Sequence, residues 1–323
     1  MPGLSPGPHG QAQRSVHYSA FMTTVAVIIN PTSGKGKGGK SAPEVGALLH
    51  KRGLDAALLV AGSAEEVLEM ARAAVADGVD ALLAAGGDGT VNLAVQAVAE
   101  TDVPLGIIPL GTGNDNAKML GMPVGDLEKA LDIIADFEVR TMDVAHVRTG
   151  DGTERYFMGV MSAGFDSNVT ERANNMRWPK GDLRYLFGIL AELGTFKPVP
   201  YKVTIDGTEH NGQAMLVAVG NGTSYGGGMQ VCVGARPDDG LLMLTWLHEA
   251  SKFKFLKTFP TVFKGTHVKD DMVEQFVGRE IRIEAPGQLV FADGERVGPL
   301  PCDVRACENA LKVIVPKDSD IGL

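Results

Sequence analysis

The chain of 323 residues carries a formal net charge of −9, with 44% hydrophobic and 21% charged residues, enough for two domains and a sizeable core. That acidic balance excludes general nucleic-acid binding, which depends on a basic surface that neutralises many phosphates. Cys232, Cys302 and Cys307 have neither the number nor the spacing of a disulfide framework or a zinc site, so they read as structural thiols in a reducing compartment.

In chain order, residues 1–21 are rich in Gly, Pro, Ser and His and lack the apolar core of a signal peptide. They read as a disordered tail, with Met22 as a second candidate start. From 22 to about 145, short β-branched runs alternate with helical stretches. Strands are expected at Val25–Ile29, Ala56–Val60, Ala81–Ala85 and Leu105–Pro109, and helices at Pro43–Arg52, Ala64–Asp77 and Val91–Ala99. This pattern predicts an α/β domain with a parallel sheet.

From about 146 to 302 the texture changes to short alternating strands, including Tyr201–Asp206, Met215–Gly220, Leu241–Leu247, Glu280–Glu284 and Leu289–Ala292. A second domain of mainly antiparallel β-sandwich character is expected, interrupted by helices at Asp182–Leu193 and Lys252–Phe263. No apolar run reaches the roughly 18 to 20 residues that span a bilayer. The expected location is therefore cytoplasmic, with any lipid reached from the membrane surface.

Three glycine turns carry the chemistry. The first, Asn30 to Ser41, follows a strand and offers backbone N–H groups and lysines suited to phosphate oxygens. Its segment Gly34 to Ser41 also matches G-x-x-x-x-G-K-[ST] literally, which leaves a P-loop NTPase open, as well as a merely solvated loop. The second turn, Gly86-Gly87-Asp88-Gly89-Thr90-Val91-Asn92, sits at the carboxyl end of an apolar strand, where open α/β sheets bind ligands. There Thr90 is suited to cap the next helix, and Asp88 to act on magnesium or on a proton. The third, Gly111-Thr112-Gly113-Asn114-Asp115, follows the strand ending at Pro109. In a parallel sheet all three align on one edge, which makes a nucleotide crevice.

Together with Ser162-Ala163-Gly164-Phe165-Asp166, Asn221-Gly222, Tyr225 to Gly228, Pro237 to Leu242 and Asp293-Gly294-Glu295, these turns resemble the diacylglycerol kinase catalytic-domain family. Its bacterial soluble lipid kinases are related to sphingosine and ceramide kinases. The resemblance runs in family order from about Val25 to the C-terminal strands. It implies a lipid kinase that uses ATP and Mg2+, most naturally converting diacylglycerol to phosphatidic acid, with the nucleotide in an interdomain cleft. It also implies that final strands, around Ala310–Val315 within 303–323, return to the first domain.

Residue by residue, the resemblance implies an ATP site of Asn30, Ser33, Gly34, Lys35, Ser63, Gly87, Asp88, Gly89, Thr90 and Thr112, with Arg184 as a phosphate contact. Asp88 and Asp115 resemble the carboxylates of the magnesium and water network. Asn114, Asp115 and Asp166 fall towards the substrate, and Asp239 with Leu241 resembles a second, structural magnesium site. Asp293 resembles the general base, with Glu295 assisting and Asp88 completing the catalytic set; a plain hairpin turn is the alternative for Asp293. NAD kinase, which shares a Gly-Gly-Asp-Gly motif, and a non-enzymatic nucleotide sensor are the rival readings. The expected partner is a lipid at the membrane surface, with no nucleic acid, and a homodimer is left open.

One stretch was not absorbed by these motifs. Ser251 to Lys269 carries Lys252, Lys254, Lys257, Lys264 and Lys269 without an acidic residue, interleaved with Phe253, Phe255, Phe259 and Phe263. It suits an anionic membrane surface, or a core-packing helix with a solvated lysine face that Pro260 interrupts.

Overall fold

A computed structural model describes residues 23–29, 38–164 and 197–321, with the backbone alone at 38–41. Its first half is the α/β layer that the alternation of the sequence predicts. Strands β1 (Thr23–Ile29), β2 (Leu54–Leu59), β3 (Ala81–Gly86) and β4 (Leu105–Pro109) run parallel in the order β2-β1-β3-β4. Helices α1 (Gly38–His50), α2 (Ala64–Ala76), α3 (Asp88–Val98), α4 (Asp115–Met119) and α5 (Leu127–Asp136) connect them or follow. Every residue of β3 and β4 is buried, which fits continuous apolar strands covered on both faces.

Two helix starts differ from expectation. The helix expected at Pro43 begins at Gly38, so Pro43 lies inside α1. The helix expected at Val91 begins at Asp88, with Gly87 as its N-cap. Asp88, Gly89 and Thr90 are therefore first-turn helical residues. Thr90 does not cap this helix as expected: it is the third helical residue, nearly buried, and its Oγ1 lies 2.1 Å from where a Cβ on Gly86 would stand.

The remaining strands are mainly antiparallel. They are β5 (Val139–Thr149), β6 (Glu154–Phe157), β7 (Val160–Gly164), β8 (Val199–Ile205), β9 (Thr208–Gly220), β10 (Leu242–His248) and β11 (Val273–Gly278). The last four are β12 (Glu280–Glu284), β13 (Leu289–Ala292), β14 (Glu295–Pro299) and β15 (Cys302–Ile314). A sandwich-like core gathers Phe157, Tyr201, Val217, Trp246 and Ile283, with the Tyr201 and Trp246 rings edge to face at 6.3 Å. All three cysteines are buried, and no disulfide joins them.

Strand pairing joins the two halves through β15. Its first part pairs with β12 and β5, and near its end Val313 pairs parallel with Leu105 of β4. The ladder with β5 breaks between Cys307 and Leu311, where Asn309 adopts a left-handed backbone. Buried Asp143 accepts a hydrogen bond there from Asn309 N (2.8 Å), a donor the broken ladder leaves over, and another from Gly240 N (2.7 Å) in the turn before β10.

Lys252–Phe263, expected as one helix, divides into helix α6 (Lys252–Thr258) and a 3-10 turn, Phe259–Lys264. Pro260 at the start of that turn accounts for the division. Asp182–Leu193 lies outside the described residues. No helix among the described residues is long and apolar enough to cross a membrane.

Candidate active site

The parallel register places the carboxyl ends of β1 to β4 on one edge. Two glycine turns meet there backbone to backbone. Leu110 N and Gly111 N both donate to Gly86 O, at 2.9 and 3.1 Å, and a Cβ on Gly111 would lie 2.4 Å from the Cα of Gly87. No side chain fits between them, so glycine is required at this contact. Asn114 closes the third turn in a left-handed conformation. Its amide accepts from Gly111 N (3.1 Å) and donates to Gly111 O (2.8 Å). Asn114 thus spends its side chain shaping the turn, and Asp115 follows it into the cleft.

An acidic pair stands where the turns meet. The Oδ1 of Asp88 accepts from Asn116 N at 3.0 Å, and the Oδ2 of Asp115 accepts from Gly227 N at 2.6 Å. Lys118 Nζ lies 3.5 Å from the other oxygen of Asp115. Burial holds the Asp88 carboxyl above its ordinary pKa, and the neighbouring Asp115 charge adds to that; the backbone N–H of Asn116 opposes it. A Cβ on Gly113 would stand 2.8 Å from Asp88 Oδ2 and 4.0 Å from Asp115 Oδ2. Oδ2 atoms of both carboxylates thus lie near the Gly113 backbone.

That donor set fits magnesium, a hard cation that accepts one or two carboxylates and completes its shell with water and phosphate oxygens. Among the described residues no three His, Cys, Asp or Glu side chains converge as a metal cage, so the protein alone does not supply a full shell. The second expected metal position is different. Asp239 is exposed and its Oδ1 accepts from Leu241 N at 3.0 Å, a local turn.

Asp293 and Glu295 come from the tip of the β13–β14 hairpin. Asp293 and Gly294 both have positive φ, 49° and 82°, the pattern of a two-residue hairpin whose twist matches its strands. The hairpin turn, the alternative reading of Asp293, is therefore present. The buried Asp293 carboxylate accepts from Met158 N (3.0 Å), Gly159 N (3.0 Å) and Val160 N (3.2 Å), and the polar side chain of Asn92 stands beside it. Burial pushes Asp293 up to about 6; hydrogen bonds from Met158 and Gly159 pull down, and the charge of Asp88 pushes up.

A carboxylate offers about four lone-pair directions, and three backbone N–H groups meet three of those on Asp293. The same device occurs at Asp206-Gly207, a second hairpin turn whose carboxylate accepts from Arg279 N and Glu280 N. Glu295 differs from buried Asp293: it is exposed, and its Oε1 lies 2.8 Å from where a Cβ on Gly89 would be, beside Asp88. Behind Asp293, Arg155 donates to the Oδ1 of buried Asn92 at 2.7 Å. A chain of Arg155, Asn92 and Asp293 runs from the surface inward.

Asp88, Gly89, Thr90, Gly87, Asn114, Asp115, Asp293 and Glu295 are thus brought into one neighbourhood, with Thr112 exposed on the third turn. Ser63 lies at the N-cap of α2, where its hydroxyl accepts from Glu66 N at 3.2 Å, worth about 1 kcal/mol of helix stability. Asn30, Ser33, Gly34, Lys35, Asp166 and Arg184 lie outside the described residues. Asn92, Asn116, Arg155, Gly227 and the Met158–Val160 amides were not anticipated. Asn92 lay inside a quoted motif, but a backbone N–H leaves no mark in the sequence.

Two family descriptions match the chain, Diacylglycerol kinase catalytic domain over residues 24–147 and YegS C-terminal NAD kinase beta sandwich-like domain over 159–315. A diacylglycerol kinase of Mycobacterium tuberculosis (strain ATCC 25618 / H37Rv) is 42% identical over 91% of this chain and 95% of its own. Another, of Bacillus subtilis (strain 168), is 27% identical over 92% and 98%. Among solved structures, a diacylglycerol kinase of Bacillus anthracis str. Sterne superposes with a TM-score of 0.67, 22% identity, and coverage of 92% and 98%. An NAD kinase of Archaeoglobus fulgidus in complex with ATP gives 0.53 at 15% identity, covering 91% and 94%. Both superpositions concern the fold.

Proposed function

The chain belongs to the diacylglycerol kinase catalytic-domain family, and from that premise we propose that it transfers the γ-phosphate of ATP to the hydroxyl of a lipid. Diacylglycerol, giving phosphatidic acid, is the acceptor best supported, because relatives at 42% and 27% identity carry that name. The observation that carries the reading is the convergence of Asp88, Asp115 and the Asp293–Glu295 hairpin on the edge where two glycine turns touch.

In this reading residues 22–145 bind the nucleotide and 146–302 form the lipid side. The segment 303–323 completes the first part, and the nucleotide lies between the two. Backbone N–H groups of the glycine turns hold phosphate oxygens, which needs close approach of main chain to ligand. Asp88 and Asp115 would hold a magnesium ion, which when bound neutralises charge on the transferring phosphoryl group.

Phosphoryl transfer needs the acceptor hydroxyl to lose its proton as the new O–P bond forms and ADP leaves. Asp293 is the expected base, but three of its lone pairs are engaged by Met158, Gly159 and Val160. Glu295, exposed beside Gly89 and Asp88, takes the proton in this reading. Asp293 holds the hairpin that aims it and adds negative charge behind the site.

Transfer of labelled phosphate from ATP, separated by thin-layer chromatography, tests the reading across diacylglycerol, a sphingoid base, phosphatidylglycerol and NAD. Label in phosphatidic acid and dependence on magnesium are expected. Label in NADP alone would overturn the lipid assignment.

A further inference from the structure

Helix α6 and the 3-10 turn after it form one ledge with two unlike sides. Ser251 caps the helix by accepting from Lys254 N at 3.2 Å. Phe255 and Val262, 5% and 8% exposed, turn inward and share a small core with Met229, Val231 and Leu247. Phe253, Leu256 and Phe263 turn outward and are 80%, 44% and 48% exposed. Elsewhere among the described residues the exposed large apolar side chains are Val and Met, never an aromatic ring. Leaving two phenylalanines in water is unfavourable unless a partner covers them.

Charge around the ledge identifies that partner. Lys252, Lys257, Lys264 and Lys269 are exposed along it, and no acidic residue occurs between Ser251 and Lys269. This stands against the −9 of the whole chain. Lys254 is turned back, paired with Asp270 at 3.0 Å and with Asp271. Aromatic and leucine side chains flanked by lysines match the boundary between acyl chains and anionic headgroups.

The ledge is also mounted on the site. Val262 O accepts from Gln230 N at 3.1 Å, and Gly265 packs so closely on Gln230 that a Cβ there would lie 2.7 Å from its Oε1. Gln230 follows the turn closed by Tyr225 and Met229. From within that turn Gly227 N donates to Asp115. Ledge, turn and acidic pair thus form one short chain of contacts.

We propose that this ledge docks on an anionic phospholipid surface, with Phe253, Leu256 and Phe263 entering the acyl boundary and the lysines meeting headgroup phosphates. Docking holds the mouth of the site against the layer in which the acceptor lies, so the inference rests on the lipid kinase reading.

The test uses the full chain and vesicles of phosphatidylcholine, with and without phosphatidylglycerol. Co-sedimentation is measured for the parent and for the variants F253S/F263S and K257E/K264E, with thermal melts to verify folding. Each variant should bind phosphatidylglycerol vesicles about tenfold or more weakly. Turnover of vesicle-borne diacylglycerol should fall by a similar factor, while turnover of a dispersed short-chain diacylglycerol stays unchanged. Unaltered vesicle binding in both variants would overturn the proposal. So would a parent chain that ignores vesicles but self-associates through Phe253, which would assign the ledge to a second copy. Ledge-dependent vesicle binding in a chain that phosphorylates no lipid would support the docking surface and count against the kinase reading alone.

Discussion

Asp88 accepts its hydrogen bond from Asn116 N at 3.0 Å, so the carboxylate of the second glycine turn is fixed by the helix that follows the third. Two loops more than twenty residues apart in sequence therefore act as one structure. Because Asn116 N can also donate to an amide oxygen, Asp88→Asn should fold with a nearly unchanged melting temperature. It should lose about 10²-fold or more in kcat/KM and much of its response to magnesium. Lys40→Ala should lose far less in the same assay; the reverse order would favour a P-loop mechanism.

Two glycines should separate chemistry from stability. In Gly113→Ala the new methyl meets Asp88 Oδ2 at 2.8 Å, the movable end of a side chain. Activity should fall about tenfold to a hundredfold with a melting temperature near that of the parent. In Gly111→Ala the methyl meets backbone, the Cα of Gly87 at 2.4 Å. That variant should lose roughly 2 kcal/mol or more of stability, measured by urea unfolding.

Glu295→Gln should leave the fold intact, since the side chain is exposed, and reduce kcat by about 10² to 10⁴-fold. Near-normal turnover in that variant would return the proton acceptor to Asp293. Asp293→Asn should also lose turnover, because an amide NH2 must face one of the N–H groups of Met158, Gly159 or Val160.

Asp293 gives a pH signature of its own. Its carboxyl is pushed from 3.8 up to about 6, so the folded chain holds the proton more tightly than the unfolded one. Below pH 4 both states are protonated and nothing is lost. As pH rises from about 4 to about 6 the burial of charge costs up to about 3 kcal/mol, and above that the cost is constant. Thermal melts should therefore show the parent losing stability across that window relative to Asp293→Asn. Parallel pH profiles would refute the assignment.

Arg155 touches Asn92, and Asn92 touches Asp293. Arg155→Met should lower kcat several-fold while leaving the KM for ATP unchanged, with a melting temperature near that of the parent, since a smaller folded fraction alone would give the same kinetic split. Steady-state kinetics with varied ATP measures it.

Much of the architecture was legible because its signals are local. Apolar runs such as Ala81–Ala85 and Leu105–Pro109 fill buried parallel strands, and Asp293-Gly294 makes a hairpin whose backbone only such residues adopt readily. Helix starts were less legible. Asp88 entered α3 because Gly87 supplies the N-cap backbone, while the apolar periodicity begins only at Val91. The break at Pro260 was visible as proline chemistry, but which phenylalanines face water depended on the core that receives Phe255 and Val262.

By itself the sequence determined the glycine turns, their carboxylates and the family pattern, because close phosphate contact demands glycine and metal or proton work demands Asp or Glu. Only the tertiary structure decided which donors hold those carboxylates. The donors on Asp293 are backbone groups of Met158, Gly159 and Val160, and that on Asp115 is Gly227 N. Every non-proline residue carries such an N–H, so nothing short of the folded chain selects which ones arrive.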